Sequence, residues 1–222
     1  MKHELIQNSR SITVNSGKIK DIARNIEQLN IRGSVAIHQE LHLQKISIHG
    51  YSSFYSNVVA QFLKTSGTCK LKDNCQINEI NNTGNLLIRD GQITTLNSSG
   101  KITIEQSLQA GEINANGIVN ASKIQAQHFH LTMSGESIID ELFADSLFVK
   151  KDKLSFSIFY KRLKCKHIKG KKLNISFTIA ECIDGDEVII GDKCIIQTLY
   201  YTDSYTISPN AKVQHIIRRE KE

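Results

Sequence analysis

The sequence predicts an all-β fold, a single-domain parallel β-helix of about twelve coils, and three observations carry that expectation. A glycine returns at a nearly constant interval, apolar residues keep a fixed register to it, and the composition suits many short strands. Proline occurs once, at Pro209, tryptophan is absent, and Ile, Val and Leu are dispersed among Ser, Thr, Asn, Gly and Lys. Such a mixture favours strands over long helices.

Gly17, Gly33, Gly50, Gly67, Gly84, Gly100, Gly117 and Gly135 follow one another in steps of 16, 17, 17, 17, 16, 17 and 18. Relative to each glycine, apolar residues recur at the second and fourth positions after it, at the eighth and tenth, and at the fourth and second before the next. In the coil from Gly33 these slots hold Val35, Ile37, Leu41, Leu43, Ile46 and Ile48. From Gly67 they hold Cys69, Leu71, Cys75, Ile77 and Ile80, and from Gly100 Ile102, Ile104, Leu108, Ala110, Ile113 and Ala115. Short alternating runs mark strands with one buried face, so each coil predicts three short strands and each strand a parallel neighbour one coil away.

Taken in order, residues 1–16 read as an N-terminal tail, 17–217 as the solenoid and 218–222 as a charged C-terminal tail. Ile19, Ile22, Ala23, Ile26 and Leu29 have helical spacing, so residues 18–28 read either as strand or as a short helix over the N-terminal end of the core. Past Gly135 the glycine ladder lapses, and residues 138–172 form an irregular, basic middle in which Ile138, Ile139, Leu142, Phe143 and Leu147 also fit a helix. Asp152, Gly170, Asp186 and Asp203 fall where the glycine corner is expected. The apolar period resumes with Val188, Ile190, Cys194, Ile196 and Leu199, repeated one coil later as Tyr205, Ile207, Ala211, Val213 and Ile216. At about 4.8 Å per coil, the rod is expected to be on the order of 55 Å long.

The net charge of +6 admits an anionic partner without arguing for a specific nucleic acid. The five cysteines, Cys69, Cys75, Cys165, Cys182 and Cys194, contain no CxxC pair, and Cys69, Cys75, Cys182 and Cys194 sit in apolar slots, which predicts small core residues. With no apolar run of the secretory type at the start, a reducing cytoplasm is the expected compartment, and any membrane association is expected to be peripheral, at the inner face. His128 and His130 alternate about Phe129 and are expected to face outward. No catalytic, cofactor-binding or metal-ligating set emerges, and there is no GxxxxGK[ST] phosphate loop, so neither an enzyme nor a cofactor is expected.

Two surfaces stand out. A β-helix ends in coils with unpaired backbone groups and a slice of exposed core. At the C-terminal end the last coil bears Tyr205, Ile207, Val213 and Ile216; at the other end Ile19, Ile22 and Ile26 would block or supply a second contact. The other surface is a basic face, Lys161, Arg162, Lys164, Lys166, Lys169, Lys171 and Lys172, in a run from Lys150 to Lys172 whose one acid is Asp152. Stacking would make these bases self-repelling ladders unless an anionic partner or solvent screens them.

The coil length, the entry IRGSVAI at Ile31 to Ile37 with the coil ending ISIHG, and the terminal EVIIGDKCIIQTLYYTDSYTISPNAKV together resemble the bactofilins. That resemblance implies a right-handed parallel β-helix and a cytoskeletal protein that polymerises end to end without nucleotide. The implied partner is then the chain itself, with an anionic membrane surface or another bactofilin as further candidates. Two alternatives remain: a non-polymerising adaptor using the basic face, and a left-handed β-helix acyltransferase, whose hexapeptide pattern is confined here to VIIGDKCII.

Overall fold

The computed structural model describes residues 10–19, 22, 25–152 and 161–220. They wind into a parallel β-solenoid of about 12 turns, with no helix among the described residues. The chain enters on β1 (Ser11–Ile19), inside the segment read as a tail, and continues through β2 (Gln28–Ile37), β3 (Leu41–Ile48), β4 (Tyr51–Phe54), β5 (Val58–Thr65), β6 (Thr68–Asn82) and β7 (Asn85–Ser98). It then follows β8 (Lys101–Met133), β9 (Ser137–Lys151), β10 (Leu163–Ile175), β11 (Thr178–Ile190), β12 (Ile195–Ile207) and β13 (Lys212–Arg218). Most strands bend through corners, so one coil lays down three segments, as in Asn85–Ile88, Gly91–Ile93 and Thr95–Ser98. We call the stacks they build the first, second and third sheets.

Register follows the sequence period closely in the N-terminal half. Leu41 pairs with Val58, Val58 with Cys75 and Cys69 with Leu86, each exactly one sequence period away. Inward positions are occupied as expected: Val35, Ile37, Ile46, Cys69, Leu71, Ile77, Ile102, Leu108 and Ile113 are all at most 3% exposed. Alternating burial removes one side chain in two from water, and the next coil covers the backbone edge, so each coil is stable only against its neighbours.

The glycine ladder is shorter than the sequence suggests. Gly33, Gly50, Gly67, Gly84, Gly100 and Gly117 stack: a Cβ on each from Gly50 to Gly117 would sit about 2 Å from the carbonyl oxygen of the glycine one coil earlier. Only glycine permits that approach. Gly17 and Gly135 lie off the ladder; Gly33 stacks on Asn15, and Gly135 faces the Ile118 side chain.

Gly170, Asp186 and Asp203 also do not continue that corner. Gly170 pairs with Ala144 and Gly185, at the bend between the second and third sheets. Asp186 and Asp203 follow Gly185 and Thr202 at that same bend. The glycine corner is continued instead by Ser176–Phe177, Gly191–Lys193 and Ser208–Asn210, where Phe177 (φ 54°) and Lys193 (φ 59°) take the left-handed conformation. A side chain costs about 1–2 kcal/mol there. Lys193 is exposed, so Lys193→Gly is expected to raise stability by about 0.5–1.5 kcal/mol in urea unfolding.

The irregular middle proves irregular at one corner only. Ser137 pairs with Leu163, well over one period away, and Leu163 with Thr178, short of one period. The extra length lies between Asp152 and Leu163, and residues 153–160 within it fall outside the described residues. The core runs through unchanged: Ile139, Leu142, Leu147, Val149, Leu163, Ile168 and Ile175 are all at most 1% exposed. The helical reading of 138–147 is strand β9, and the N-terminal helical reading fails where residues are described. There β1 ends at Ile19 and β2 begins at Gln28. Ile22 between them is a buried core residue whose backbone N–H and carbonyl are both held by the Gln39 side-chain amide, at 2.6 and 3.2 Å.

Four cysteines fill core slots, and burial lifts the thiols of Cys69, Cys75 and Cys165 to about 12 and that of Cys194 to about 11. Cys182 departs from expectation: it is half-buried at the bend between the first and second sheets, paired with His167 and Thr198. His128 is exposed, but His130 is partly buried. It meets Phe148 edge-on at 4.9 Å, and its Nε2 is buried without a hydrogen-bond partner.

Burial, then the Lys150 charge, lowers the His130 pKa from 6.5. The folded state therefore prefers the neutral ring, and its contribution is complete above pH 6.5 and lost as pH falls below it. Unfolding midpoints are expected to drop as the pH falls below 6.5. The drop should be shallower in His130→Asn, which extends the file of Asn97 and Asn114.

Candidate assembly surface

Each coil covers the edge of the one before, and β13 has no strand beyond it among the described residues. The last coil consists of Ser204–Ile207, the bend Ser208–Asn210, then β13. Its third-sheet segment pairs back onto Glu187–Ile190 and β13 onto Ile195–Tyr201, and among the described residues no strand pairs with the opposite backbone edge on any of the three sheets. The bend is set by local hydrogen bonds: the Ala211 N–H donates to the Ser208 carbonyl and the Asn210 N–H to Ser208 Oγ. Asp192 accepts from Ser208 and Asn210, which keeps its carboxyl below the usual range.

The apolar cross-section opens within one coil. Val188, Ile190, Cys194, Ile196 and Leu199 are at most 1% exposed; one register later, Tyr205 and Ile216 are 42% exposed, and Ile207, Ala211 and Val213 are half-buried. The structure therefore brings Tyr205, Ile207, Val213 and Ile216 together on one terminal face. Ile217, 43% exposed, follows Ile216 on the outer side of the second sheet and was missing from the sequence reading. Arg219 turns back along the side of the rod, donating to Asp184 at 2.7 Å and covering the Tyr200 ring at 4.2 Å. At the other end Ile19 and Ile26 pack partly buried against the core around Ile22, so Ile22 belongs to the core there.

The basic face is paired across the coils, each named base having an acidic or carbonyl partner. Arg162 and Lys164 both reach Glu136, at 2.7 and 3.1 Å, and their hydrogen bonds, Arg162 first, lower its pKa. Lys166 pairs with Asp140 at 2.8 Å and Lys171 with Asp145 at 2.9 Å, and each carboxylate raises the pKa of its lysine. Lys169 and Lys172 lie 3.8 and 3.7 Å from Asp184 and Glu187, and Lys161 donates to the Asp152 carbonyl at 3.0 Å. Along the chain this segment has almost no acid; across the coils an acidic layer flanks it on either side. Ion pairs so exposed contribute little stability singly, but they reduce the positive charge that an anionic partner would meet.

A file of outward isoleucines interrupted by Lys164 escaped sequence reading. Ile138, Lys164, Ile179 and Ile195 are successive partners on the outer side of the first sheet, with Ile138 47% and Ile195 50% exposed. The available signal was the doublets Ile138-Ile139 and Ile195-Ile196, because in a strand one of two adjacent residues must face out.

No helix among the described residues is long and apolar enough to cross a membrane. Compared with family models, curated proteins and solved structures, the chain has no match in any of the three.

Proposed function

We propose that the chain is a non-enzymatic structural scaffold whose β-solenoids join end to end into filaments without nucleotide, as in the bactofilins it resembles. The observation that carries this reading is the terminal coil: an unpaired strand edge on every sheet around an apolar cross-section, with the core slots going from sealed to 42% exposed in one step. Such an end behaves as an edge strand and is stabilised by a second end that pairs with it. The partner is then another copy of the chain, and the natural setting is the cytoplasm.

The adaptor alternative is less favoured, because the basic face is partly neutralised from within the chain. Lys161, Arg162, Lys164, Lys166, Lys169, Lys171 and Lys172 each already have a polar or acidic partner. Light scattering and negative-stain microscopy of the purified full chain test the scaffold reading. Filaments that grow with concentration are expected without added nucleotide. A chain that stays monomeric across concentration and salt overturns the reading.

A further inference from the structure

The terminal strand has little to hold it. β13 pairs only with β12, its side chains are exposed apart from half-buried Val213, and no strand lies beyond it among the described residues. A strand held on one side opens locally at a fraction of the global stability. An edge that is not ordered beforehand has to be ordered when a partner docks, which weakens the association.

Arg219, the residue after β13, braces that strand from outside the ladder. Its N–H donates to the Tyr201 carbonyl at 2.8 Å, which extends the pairing by one bond. Its guanidinium lies 4.2 Å from the centre of the Tyr200 ring in β12, and its Nη1 donates to Asp184 Oδ2 in β11 at 2.7 Å. Asp184, Tyr200 and Ile217 are successive partners on the outer side of the second sheet. One side chain therefore crosses β12 and ties the last coil to the one two coils back, along the rod and away from the terminal face.

Shielding sets this ion pair apart. The Asp184 side chain is 17% exposed, against 32–56% for the carboxylates of the ion pairs that do not involve it, and Lys169 approaches it from β10 at 3.8 Å. A pair so placed is screened less than an exposed one. The planar stack of the guanidinium on Tyr200 adds a contact that a lysine does not reproduce.

We propose that Arg219 is a positioning residue for the end-to-end contact: it braces β13 against β11 and so orders the free edge, with Val213 and Ile216, before a second copy meets it. The proposal rests on the end-to-end reading for its use and on the three Arg219 contacts for its location. Arg219→Ala and Arg219→Lys in the full chain test it. Two quantities are read: amide hydrogen exchange of residues 212–218 below the assembly concentration, and the critical concentration for pelleting. In Arg219→Ala, exchange across 212–218 is expected to quicken about tenfold and the critical concentration to rise about tenfold. Exchange in β7 and the urea midpoint should stay at their parent values. Arg219→Lys, which keeps the charge without the stack, should fall between Arg219→Ala and the parent.

Unchanged exchange in Arg219→Ala overturns the brace. Faster exchange with an unchanged critical concentration overturns its part in assembly, as does a loss of assembly that tracks a lower urea midpoint. Faster exchange when the parent itself forms no filaments leaves the brace standing and overturns end-to-end assembly.

Discussion

Gly84→Ala is expected to cost on the order of 4 kcal/mol, while Gly135→Ala, one of the same periodic set in the sequence, is expected to change stability by less than about 0.5 kcal/mol. At Gly84 the new Cβ would lie 2.0 Å from the Gly67 carbonyl oxygen and 2.7 Å from that of Ser66, both backbone atoms. Neither can move without disturbing the pairing of three coils: the Asn85 N–H donates to Gly67, the Lys101 N–H to Gly84, and the Gly84 N–H to buried Asn82. At Gly135 the nearest atom is the end of the Ile118 side chain, at 3.0 Å, which can rotate away. For a chain of this size the first change corresponds to a fall of roughly 8–16 °C in Tm. Thermal unfolding of the two variants side by side gives the comparison, and equal losses would mean that Gly135 also belongs to the ladder.

Ile207→Glu with Val213→Glu is expected to weaken assembly by at least about a hundredfold while leaving the fold intact. Both residues are half-buried in the terminal cross-section, so in the free chain a carboxylate there remains hydrated. In a joined end it would be sealed against a second core. Each substitution removes about 1.5–3 kcal/mol of apolar burial and leaves an ion whose desolvation costs several kcal/mol more. A loss of about 2.7 kcal/mol is already a hundredfold in the association constant. Sedimentation of the variant against the parent chain reads it directly, and unchanged pelleting would move the contact away from this end.

Much of the fold was legible because a coil leaves two independent marks on the chain. A glycine appears where backbones touch, and alternation appears wherever a side is buried. From Gly33 to Gly117 both marks agree, with one slip of a residue in the short coil from Gly84, where Gly91 and Ile93 rather than Gln92 and Thr94 face inward. Beyond that, one mark survives, and alternation alone does not say which of three sheets it belongs to. The long link between Asp152 and Leu163, followed by a shortened coil, moves the chain round by one bend, yet the steps between Gly135, Asp152, Gly170, Asp186 and Asp203 still look regular. Hence Gly170 was placed at the wrong corner.

The helical reading of 18–28 has a related origin. Ile19 closes one strand, Ile22 is a core residue between strands and Leu29 fills a third-sheet slot, so apolar residues from separate segments fall at spacings of three and seven. The terminal surface was readable because its residues repeat the preceding coil. The pairing of the basic face was not, because its acids lie one coil away, where a linear charge count does not look.

The layered charges carry a consequence for how the chain finds its fold. Coils of near-identical length and pattern could exchange neighbours, since sliding the C-terminal half by one turn would preserve most apolar contacts. Such a slip would bring Lys164, Lys166 and Lys171 away from Glu136, Asp140 and Asp145 and against coils with a different charge pattern. Alternating acidic, basic and acidic layers therefore act as a key that recognises one stacking order. In a molecule whose core is almost translationally symmetric, the surface holds the information that distinguishes one coil from the next.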